Sequence, residues 1–507
     1  MAQARITQTE ERIERWRQSI GLWLGPVVFV ALLAAPFPKS ISPQAHRLAA
    51  VLGWTLIYWV CEPIPIPVTA LLGPALCVVL GVADAKVLLA SFADPVVFVF
   101  IGSFLLAEAM IVHGLDRRVA LTILSLPWVG DSPRRILFAF GAVAAFVSMW
   151  LSNTATTAML LPIALGILGE MGVLLERQTG KPVDLASLRM SRGLLLMTAY
   201  AASVGGIGTP IGTPPNLIGI GMIREMAGVS ITFFGWMKFA VPLLVVMYLI
   251  LYVLIVWLHP PEAARLEGMA EYLKKRRAEL GPWTRGQANT LAAFLAAVTL
   301  WVAPGPLALI AGANSPIMGA YQKYLPEGII AVLAACLLFF LPVDRRARRF
   351  TLTWEQATRI DWGTILLFGG GIALGTQAFN TGLAKAVGEG ALQTTGITSL
   401  GGITFLAIAL GIVISETTSN TASANMVIPV AIAVAKAANV DPILPALGAC
   451  LGASYGFMLP VSTPPNAIVY GSGMISIPSM VKTGVIFDVL GLFMIWGGLM
   501  LLGHFAF

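Results

Sequence analysis

The sequence predicts an all-α polytopic membrane protein whose chain contains a duplication. Of its 507 residues, 57% are hydrophobic and 11% are charged, whereas a typical soluble domain is about 25% charged. Uncharged stretches of roughly 20 residues recur along the chain, and a helix needs about that length to cross the hydrocarbon of a bilayer. A short polar block also occurs twice, as Ser152-Asn153-Thr154-Ala155 and as Ser419-Asn420-Thr421-Ala422. These observations leave no room for a large soluble domain.

The net charge of +7 does not indicate a nucleic-acid partner. The basic residues fall in short segments between apolar runs, which is the distribution that membrane orientation requires. The four cysteines lie in apolar segments without the spacing of metal ligands, so they are interpreted as small buried residues. The apolar runs and the basic segments between them predict that the chain lies in a lipid bilayer.

The two polar blocks belong to a longer repeat. Pro162 follows the first block and Pro429 follows the second, and both the blocks and the prolines are displaced by the same amount (419 − 152 = 267 and 429 − 162 = 267). A second motif, Thr213-Pro214-Pro215-Asn216, returns as Thr463-Pro464-Pro465-Asn466 (463 − 213 = 250). A single Ser or Thr in a membrane helix usually bonds to the carbonyl one turn back. Two matched copies inside apolar runs favour a binding site, because polar groups are costly there unless they are satisfied.

The repeat predicts where the chain divides. The predicted segments are a cytoplasmic tail (1–19), a first span with its outer loop (20–47), repeat 1 (48–260, with a hairpin at 136–175 and a broken helix at 193–224), a cytoplasmic linker (261–289) and repeat 2 (290–507, with a hairpin at 400–437 and a broken helix at 441–476). Each hairpin length also fits two full spans joined by a surface turn. Gly and Pro make a continuous helix untenable at the two breaks.

Charge placement predicts that the two repeats are inverted. The first hairpin is flanked by Arg134, Arg135, Arg177, Lys181, Arg189 and Arg192, whereas the second is flanked only by Lys385 and Lys436. Because basic loops stay on the cytoplasmic side, the first hairpin should open inward and the second outward. The two polar tips should then meet near the membrane midplane, with the amino terminus inside and the carboxyl terminus outside.

The residue types at the tips indicate what they could bind. Helix amino termini attract anions and helix carboxyl termini attract cations. Neither polar break contains Arg or Lys, so a doubly negative solute would need bound cations such as Na⁺ to supply positive charge. The intramembrane acids Glu62, Glu108, Glu416 and Asp488 could carry protons, but structural hydrogen bonding is the preferred interpretation for all four. Glu416 adjoins the second tip but has Met149 as its repeat counterpart, so it lies outside the symmetric core.

These motifs resemble those of the divalent anion/sodium symporter family. The resemblance covers nearly the whole chain and includes Ile64-Pro65-Ile66-Pro67-Val68-Thr69-Ala70, both Ser-Asn-Thr tips, both Thr-Pro-Pro-Asn breaks and Glu416. It implies an inverted-repeat ion-transporter fold with about 11 transmembrane helices and two re-entrant hairpins. It also implies a homodimer that works by an elevator movement, in which a transport domain slides against a scaffold.

The resemblance also implies roles for individual residues. Substrate carboxylates would contact Asn153, Thr154, Thr213, Asn420, Thr421 and Pro464. One sodium site would use Ser148, Ser152, Asn153, Gly212 and Thr213. A second sodium site would use Ser415, Thr418, Asn420, Ser462 and Thr463. The repeat supports the pairing of these sites, because Ser148 and Ser415 show the same displacement as the tips (415 − 148 = 267).

The predicted function is Na⁺-coupled uptake of C4-dicarboxylates such as succinate, malate or fumarate, with two or more Na⁺ ions per cycle. Sodium-independent exchange of dicarboxylate, citrate or tartrate remains open, as does sulfate transport. An enzyme is not predicted, because neither tip has the His, Cys or Asp that a nucleophile–base pair or a metal site would need. The predicted location is the inner (plasma) membrane of a bacterium.

Overall fold

The structure is a computed structural model that describes residues 2–38, 41–312 and 314–503. The last four positions of predicted repeat 2, at 504–507, lie outside the described residues, as does the first position of the predicted tail. Within the described ranges the chain is 76% helical and contains only two short strands. The described part of the predicted tail, residues 2–19, and the first span form one continuous helix, Ala2–Ala34.

The first half of the described chain contains twelve α-helices. They are α1 (Ala2–Ala34), α2 (Pro43–Cys61), α3 (Ile66–Val79), α4 (Ala85–Ala90), α5 (Pro95–His113), α6 (Leu115–Leu124), α7 (Pro133–Ser148), α8 (Asn153–Thr179), α9 (Arg189–Gly206), α10 (Pro214–Met222), α11 (Phe233–Leu258) and α12 (Met269–Ala278). A 3-10 turn at Ser91–Ala93 precedes α5, and a π-helical turn at Ile223–Ala227 follows α10.

The second half contains twelve more α-helices and one β-hairpin among its described residues. They are α13 (Arg285–Val302), α14 (Pro304–Ala311), α15 (Pro316–Tyr324), α16 (Glu327–Phe340), β1 (Pro342–Asp344), β2 (Arg349–Phe350), α17 (Trp354–Ala357), α18 (Trp362–Asn380), α19 (Leu383–Thr395), α20 (Leu400–Thr417), α21 (Asn420–Ala437), α22 (Ile443–Gly452), α23 (Pro464–Tyr470) and α24 (Ile477–Leu502). The two short strands pair antiparallel within the basic segment that follows α16.

Matched glycines end matched helices in the two halves. Gly114 follows α5 with φ 62°, and Gly382 precedes α19 with φ 86°. Both conformations are left-handed, which favours glycine because it has no Cβ. The glycines therefore let each long helix turn sharply into a short helix, α6 in the first half and α19 in the second.

The packing of the two halves is reciprocal. Helix α7 packs against α9 as α20 packs against α22, so each hairpin lies beside its own broken helix. Helix α10 packs against α21 as α23 packs against α8, so the second part of each broken helix lies on the hairpin of the other half. Helices α5 and α16, and likewise α18 and α3, also pair across the halves. The hairpins and breaks of both repeats consequently share one core.

Seven helices in the described ranges are long and apolar enough to cross a membrane, and the number rises to nine if each of two bent pairs is one span. The bent pairs are α13 with α14 and α15 with α16. This confirms the all-α polytopic class. The total of about 11 spans stays a prediction, because α3 and α22 are apolar but shorter than a full crossing.

Candidate functional site

Each hairpin turns at its Ser-Asn-Thr block. Helix α7 ends at Ser148 and α8 begins at Asn153, where the Oγ of Ser152 accepts a hydrogen bond from the backbone N–H of Ala155 at 3.2 Å. In the second hairpin the Oγ of Ser419 accepts from Ala422 at 3.2 Å. Serine is a favoured N-cap because its oxygen satisfies an N–H that the helix leaves free. The sequence therefore starts a helix at each tip.

A second serine in each hairpin orients the asparagine of the tip. The hydroxyl of Ser148 donates to Oδ1 of Asn153 at 2.7 Å, and the hydroxyl of Ser415 donates to Oδ1 of Asn420 at 2.8 Å. Ser415 can also donate to the carbonyl of Ala453 at 2.8 Å. The two asparagines have the same local hydrogen bond, so the repeat extends from sequence to side-chain geometry.

The two breaks are held open by the asparagine that ends each Thr-Pro-Pro-Asn motif. The amide of Asn216 donates to the carbonyls of Gly206 and Thr209 at 2.9 and 2.7 Å. The amide of Asn466 donates to the carbonyls of Gly456 and Leu459, both at 3.0 Å. The two acceptors in one break correspond to the two acceptors in the other by the displacement of the motif. A side-chain amide thus replaces the helical hydrogen bonds that the break removes.

Glycine at two positions of the first break allows a close approach of backbone and tip. A methyl group on Gly206 would lie 2.3 Å from Oδ1 of Asn153. A methyl group on Gly212 would lie 2.5 Å from the carbonyl oxygen of Gly206 and 2.9 Å from that of Ser148. Any larger residue would displace these polar atoms, so the glycines keep the tip and the break in contact.

The tips and breaks of both repeats line one cavity of about 410 Å³, within the range of about 300–1,000 Å³ that is usual for ligand sites. Its lining includes Ser152, Asn153, Thr154, Gly212, Thr213, Pro214, Ser419, Asn420, Thr421, Thr463 and Pro464. Helices α8, α10, α21 and α23 all begin at this cavity. Each helix start carries roughly half a positive charge. The cavity therefore suits an anion although its tips have no basic residue.

Four predicted site residues lie behind the cavity. Ser148 and Ser415 are fully buried and contact the tip asparagines. The hydroxyl of Thr418 donates to the carbonyl of Ile414 at 3.0 Å. Ser462 is 2% exposed, and its hydroxyl donates to the Glu416 carboxylate at 2.6 Å. These residues surround the tips without facing the space that a substrate would fill.

The cavity is also lined by residues that the sequence interpretation did not assign to the site. Glu108, Arg359, Asp361 and Thr364 line it beside the tips. Asp361 caps α18 by accepting from the backbone N–H of Thr364 at 3.0 Å. The repeat could have indicated Asp361, because Asp94 occupies the corresponding position of the first half and caps α5 by accepting from Val96 at 2.8 Å. Arg359 has no comparable signal in the sequence.

The surroundings of the tips fit small hard cations. Helices α7 and α20 end beside the tips, and helix ends present free carbonyl oxygens. The Oδ1 atoms of Asn216 and Asn466 are buried and accept no hydrogen bond, so they are further oxygen donors that the sequence interpretation did not assign. Oxygen donors of this kind suit cations such as Na⁺.

Comparison with known proteins agrees with the motifs. Residues 17–504 match the family profile described as the sodium:sulfate symporter transmembrane region. The sodium-dependent dicarboxylate transporter SdcS of Staphylococcus saprophyticus is 34% identical over 481 residues, which are 94% of this chain and 90% of SdcS. SdcS of Staphylococcus aureus strain USA300 is 33% identical over 475 residues, which are 92% of this chain and 88% of that protein.

Two solved structures share the fold at low sequence identity. The YdaH transporter of Alcanivorax borkumensis aligns with a TM-score of 0.52 and 12% identity, covering 96% of both chains. MtrF of Neisseria gonorrhoeae aligns with a TM-score of 0.52 and 11% identity, also covering 96% of both chains. The profile match over nearly the whole length shows that the chain belongs to the divalent anion/sodium symporter family, as its paired motifs predict.

Proposed function

We propose that this protein is a secondary active transporter that couples Na⁺ influx to the uptake of C4-dicarboxylates such as succinate, malate and fumarate. The observation that carries the proposal is the single cavity in which helices of both repeats begin at Ser-Asn-Thr and Thr-Pro-Pro motifs. The dicarboxylate substrate follows from the relatives named sodium-dependent dicarboxylate transporters. No enzymatic step is part of the proposal.

The two tips are proposed to bind the two carboxylates of one substrate molecule. Asn153 and Thr154 would donate to one carboxylate, and Asn420 and Thr421 would donate to the other. Thr213 and Pro464 would complete the walls of the site. Amide, hydroxyl and backbone N–H donors can hold a carboxylate without a fixed positive charge. Such neutral contacts leave the substrate only partly compensated, which gives bound cations a role.

Two Na⁺ ions are proposed to supply the missing positive charge. The first would be held by Ser148, Ser152, Asn153, Gly212 and Thr213, and the second by Ser415, Thr418, Asn420, Ser462 and Thr463. Asn153 and Asn420 belong to both the substrate set and a sodium set. Each ion would therefore orient a residue that the substrate needs, and the affinity of one ligand would depend on the other by linkage.

Alternating access is proposed to follow an elevator movement in a homodimer. Charge placement assigns the amino terminus and the basic segment 344–349 to the cytoplasmic side, and this segment leads into Arg359 and Asp361 of the cavity lining. On the opposite side, Arg224 pairs with Asp94 across the boundary between α10 and α5. The structure would then correspond to a state open to the cytoplasm. The proposed location is the bacterial plasma membrane, with the carboxyl terminus outside.

The proposal is tested by uptake of labelled succinate into proteoliposomes that contain the purified protein. An inward Na⁺ gradient is compared with K⁺ alone, in empty vesicles and in vesicles preloaded with unlabelled dicarboxylate. Uptake into empty vesicles that requires Na⁺ is the expected result. Uptake that requires internal dicarboxylate and ignores Na⁺ would identify an exchanger and contradict both sodium assignments. Labelled citrate, tartrate and sulfate provide the comparison of substrates.

A further inference from the structure

Two acidic side chains lie together behind the second hairpin tip. Glu416 and Asp488 are each 4% exposed. Glu416 accepts from the backbone N–H of Met458, and Gly484, one turn before Asp488 on α24, lies against Met458, so the two carboxyl groups are near enough for their charges to interact. Two neighbouring carboxylates repel each other strongly when they are shielded from water. A proton or a cation is needed between them, because no Arg, Lys or His of the described chain is among the charges that act on Asp488.

The pair has oxygen atoms to offer a ligand. The two Glu416 carboxylate oxygens accept from the backbone N–H of Met458 at 2.9 Å and from the hydroxyl of Ser462 at 2.6 Å. Neither oxygen of Asp488 accepts a well-formed hydrogen bond, although the backbone N–H of Phe457 is close enough to act on its charge. The hydroxyl of Tyr455 is likewise buried without a partner, and Asp488 is the charge that acts on it. Buried polar groups are usually satisfied, so these three atoms are available to bind a ligand.

The first repeat has no acids at the corresponding place. Glu416 corresponds to Met149 by the displacement of the tips, and Asp488 corresponds to Leu244, since the two lie at the same position along α24 and α11. The side chains of Met149 and Leu244 meet over Gly208, where an added methyl group would lie 3.1 and 2.6 Å from them. An apolar pair therefore satisfies the packing of this site. The acidic pair of the second repeat needs a different explanation from packing.

We propose that Glu416, Asp488 and Tyr455 bind a Na⁺ ion, in addition to the two ions assigned to the tips. Carboxylate and hydroxyl oxygens are the donors that hard cations prefer. One positive charge between the two carboxylates also removes most of their repulsion. The identity of the ion rests on the proposed Na⁺ coupling. Ser462 donates to Glu416 and belongs to the second predicted sodium set, so occupancy of this site is communicated to the second break.

The test counts Na⁺ directly, so that it does not depend on transport. Binding of ²²Na⁺ to the purified protein is measured to saturation in detergent, with choline as the replacement cation. Asp488→Asn should bind one ion fewer per chain than the wild type. Tyr455→Phe keeps the buried ring and removes only the hydroxyl, so it should bind the same number with one ion several-fold weaker. Asp116→Asn, which changes a buried carboxyl group in α6 that does not line the cavity, is the control and should match the wild type.

Three outcomes would overturn the inference. If Asp488→Asn binds as many ions as the wild type, the pair shares a proton and holds no Na⁺. If the wild type binds Na⁺ only at the tips, so that Asn153→Ala and Asn420→Ala together abolish all binding, there is no further site. If the wild type binds no Na⁺ at all, the proposed function fails as well. Where Asp488→Asn does not fold, the double variant Glu416→Met with Asp488→Leu replaces it, because it copies the apolar pair of the first repeat.

Discussion

Gly206 gives the sharpest prediction, because its Cα lies against the tip that we propose as a centre of binding. In Gly206→Ala the new methyl group would lie 2.3 Å from Oδ1 and 3.1 Å from Cγ of Asn153, so the Asn153 side chain must move. That movement breaks its bond to Ser148 and its proposed bond to the substrate. Two hydrogen bonds at about 0.5–1.5 kcal/mol each correspond to a loss of about 1–3 kcal/mol, or roughly 5- to 150-fold in Vmax/KM.

The second repeat supplies the matched control. At Gly456, the counterpart of Gly206, a methyl group would lie 3.2 Å from the carbonyl oxygen of Ser415 and no closer to any other atom. Gly456→Ala should therefore transport within a few-fold of the wild type. Both variants are assayed by initial rates of succinate uptake in proteoliposomes, at equal amounts of reconstituted protein. Wild-type uptake by Gly206→Ala, or equal losses in both variants, would refute the reasoning.

Three further predictions concern the serines, the breaks and an ion pair. Ser148→Ala and Ser415→Ala each remove one hydrogen bond to a tip asparagine. The Na⁺ concentration for half-maximal uptake should therefore rise roughly 2- to 12-fold. An unchanged Na⁺ dependence in both variants would contradict the sodium assignments. Asn216→Leu leaves two buried carbonyls without their hydrogen-bond donor, which costs about 1–3 kcal/mol for each carbonyl. The melting temperature of the purified protein should therefore fall. A melting temperature equal to that of the wild type would show that the Asn216 amide does not stabilise the break. Arg224→Gln leaves the buried Asp94 carboxylate without its ion-pair partner, so it should destabilise the protein by about 1–2 kcal/mol. Adding Asp94→Asn should restore part of that stability. Additive losses in the double variant would show that the two residues are not coupled.

The polytopic class and the positions of the hairpins and breaks could be predicted from the sequence for a simple reason. Apolar runs, proline positions and the constant displacement between matched motifs are properties of the chain itself. The tip serines could also be predicted as helix starts, because N-capping is a local interaction. The continuity of α1 through the charged tail could not, since a polar segment can continue a helix when no Gly or Pro interrupts it.

The cavity could be predicted only in part. The repeat indicated that the two tips and the two breaks belong together, and the structure brings them to one cavity. Arg359 and Glu108 reach that cavity from helices and turns distant in sequence, so no local pattern marks them. The proximity of Glu416 and Asp488 could not be predicted either, because the two residues belong to different helices and only helix packing brings them together.

The central claim is that the two tips form one dicarboxylate site whose affinity depends on Na⁺. Equilibrium binding of labelled succinate to the purified protein, in NaCl and in KCl, tests it most directly, with Asn153→Ala and Asn420→Ala as the two tip variants. We expect saturable binding in NaCl only, lost in both variants. Binding of equal affinity in KCl, or full binding by either variant, would contradict the claim.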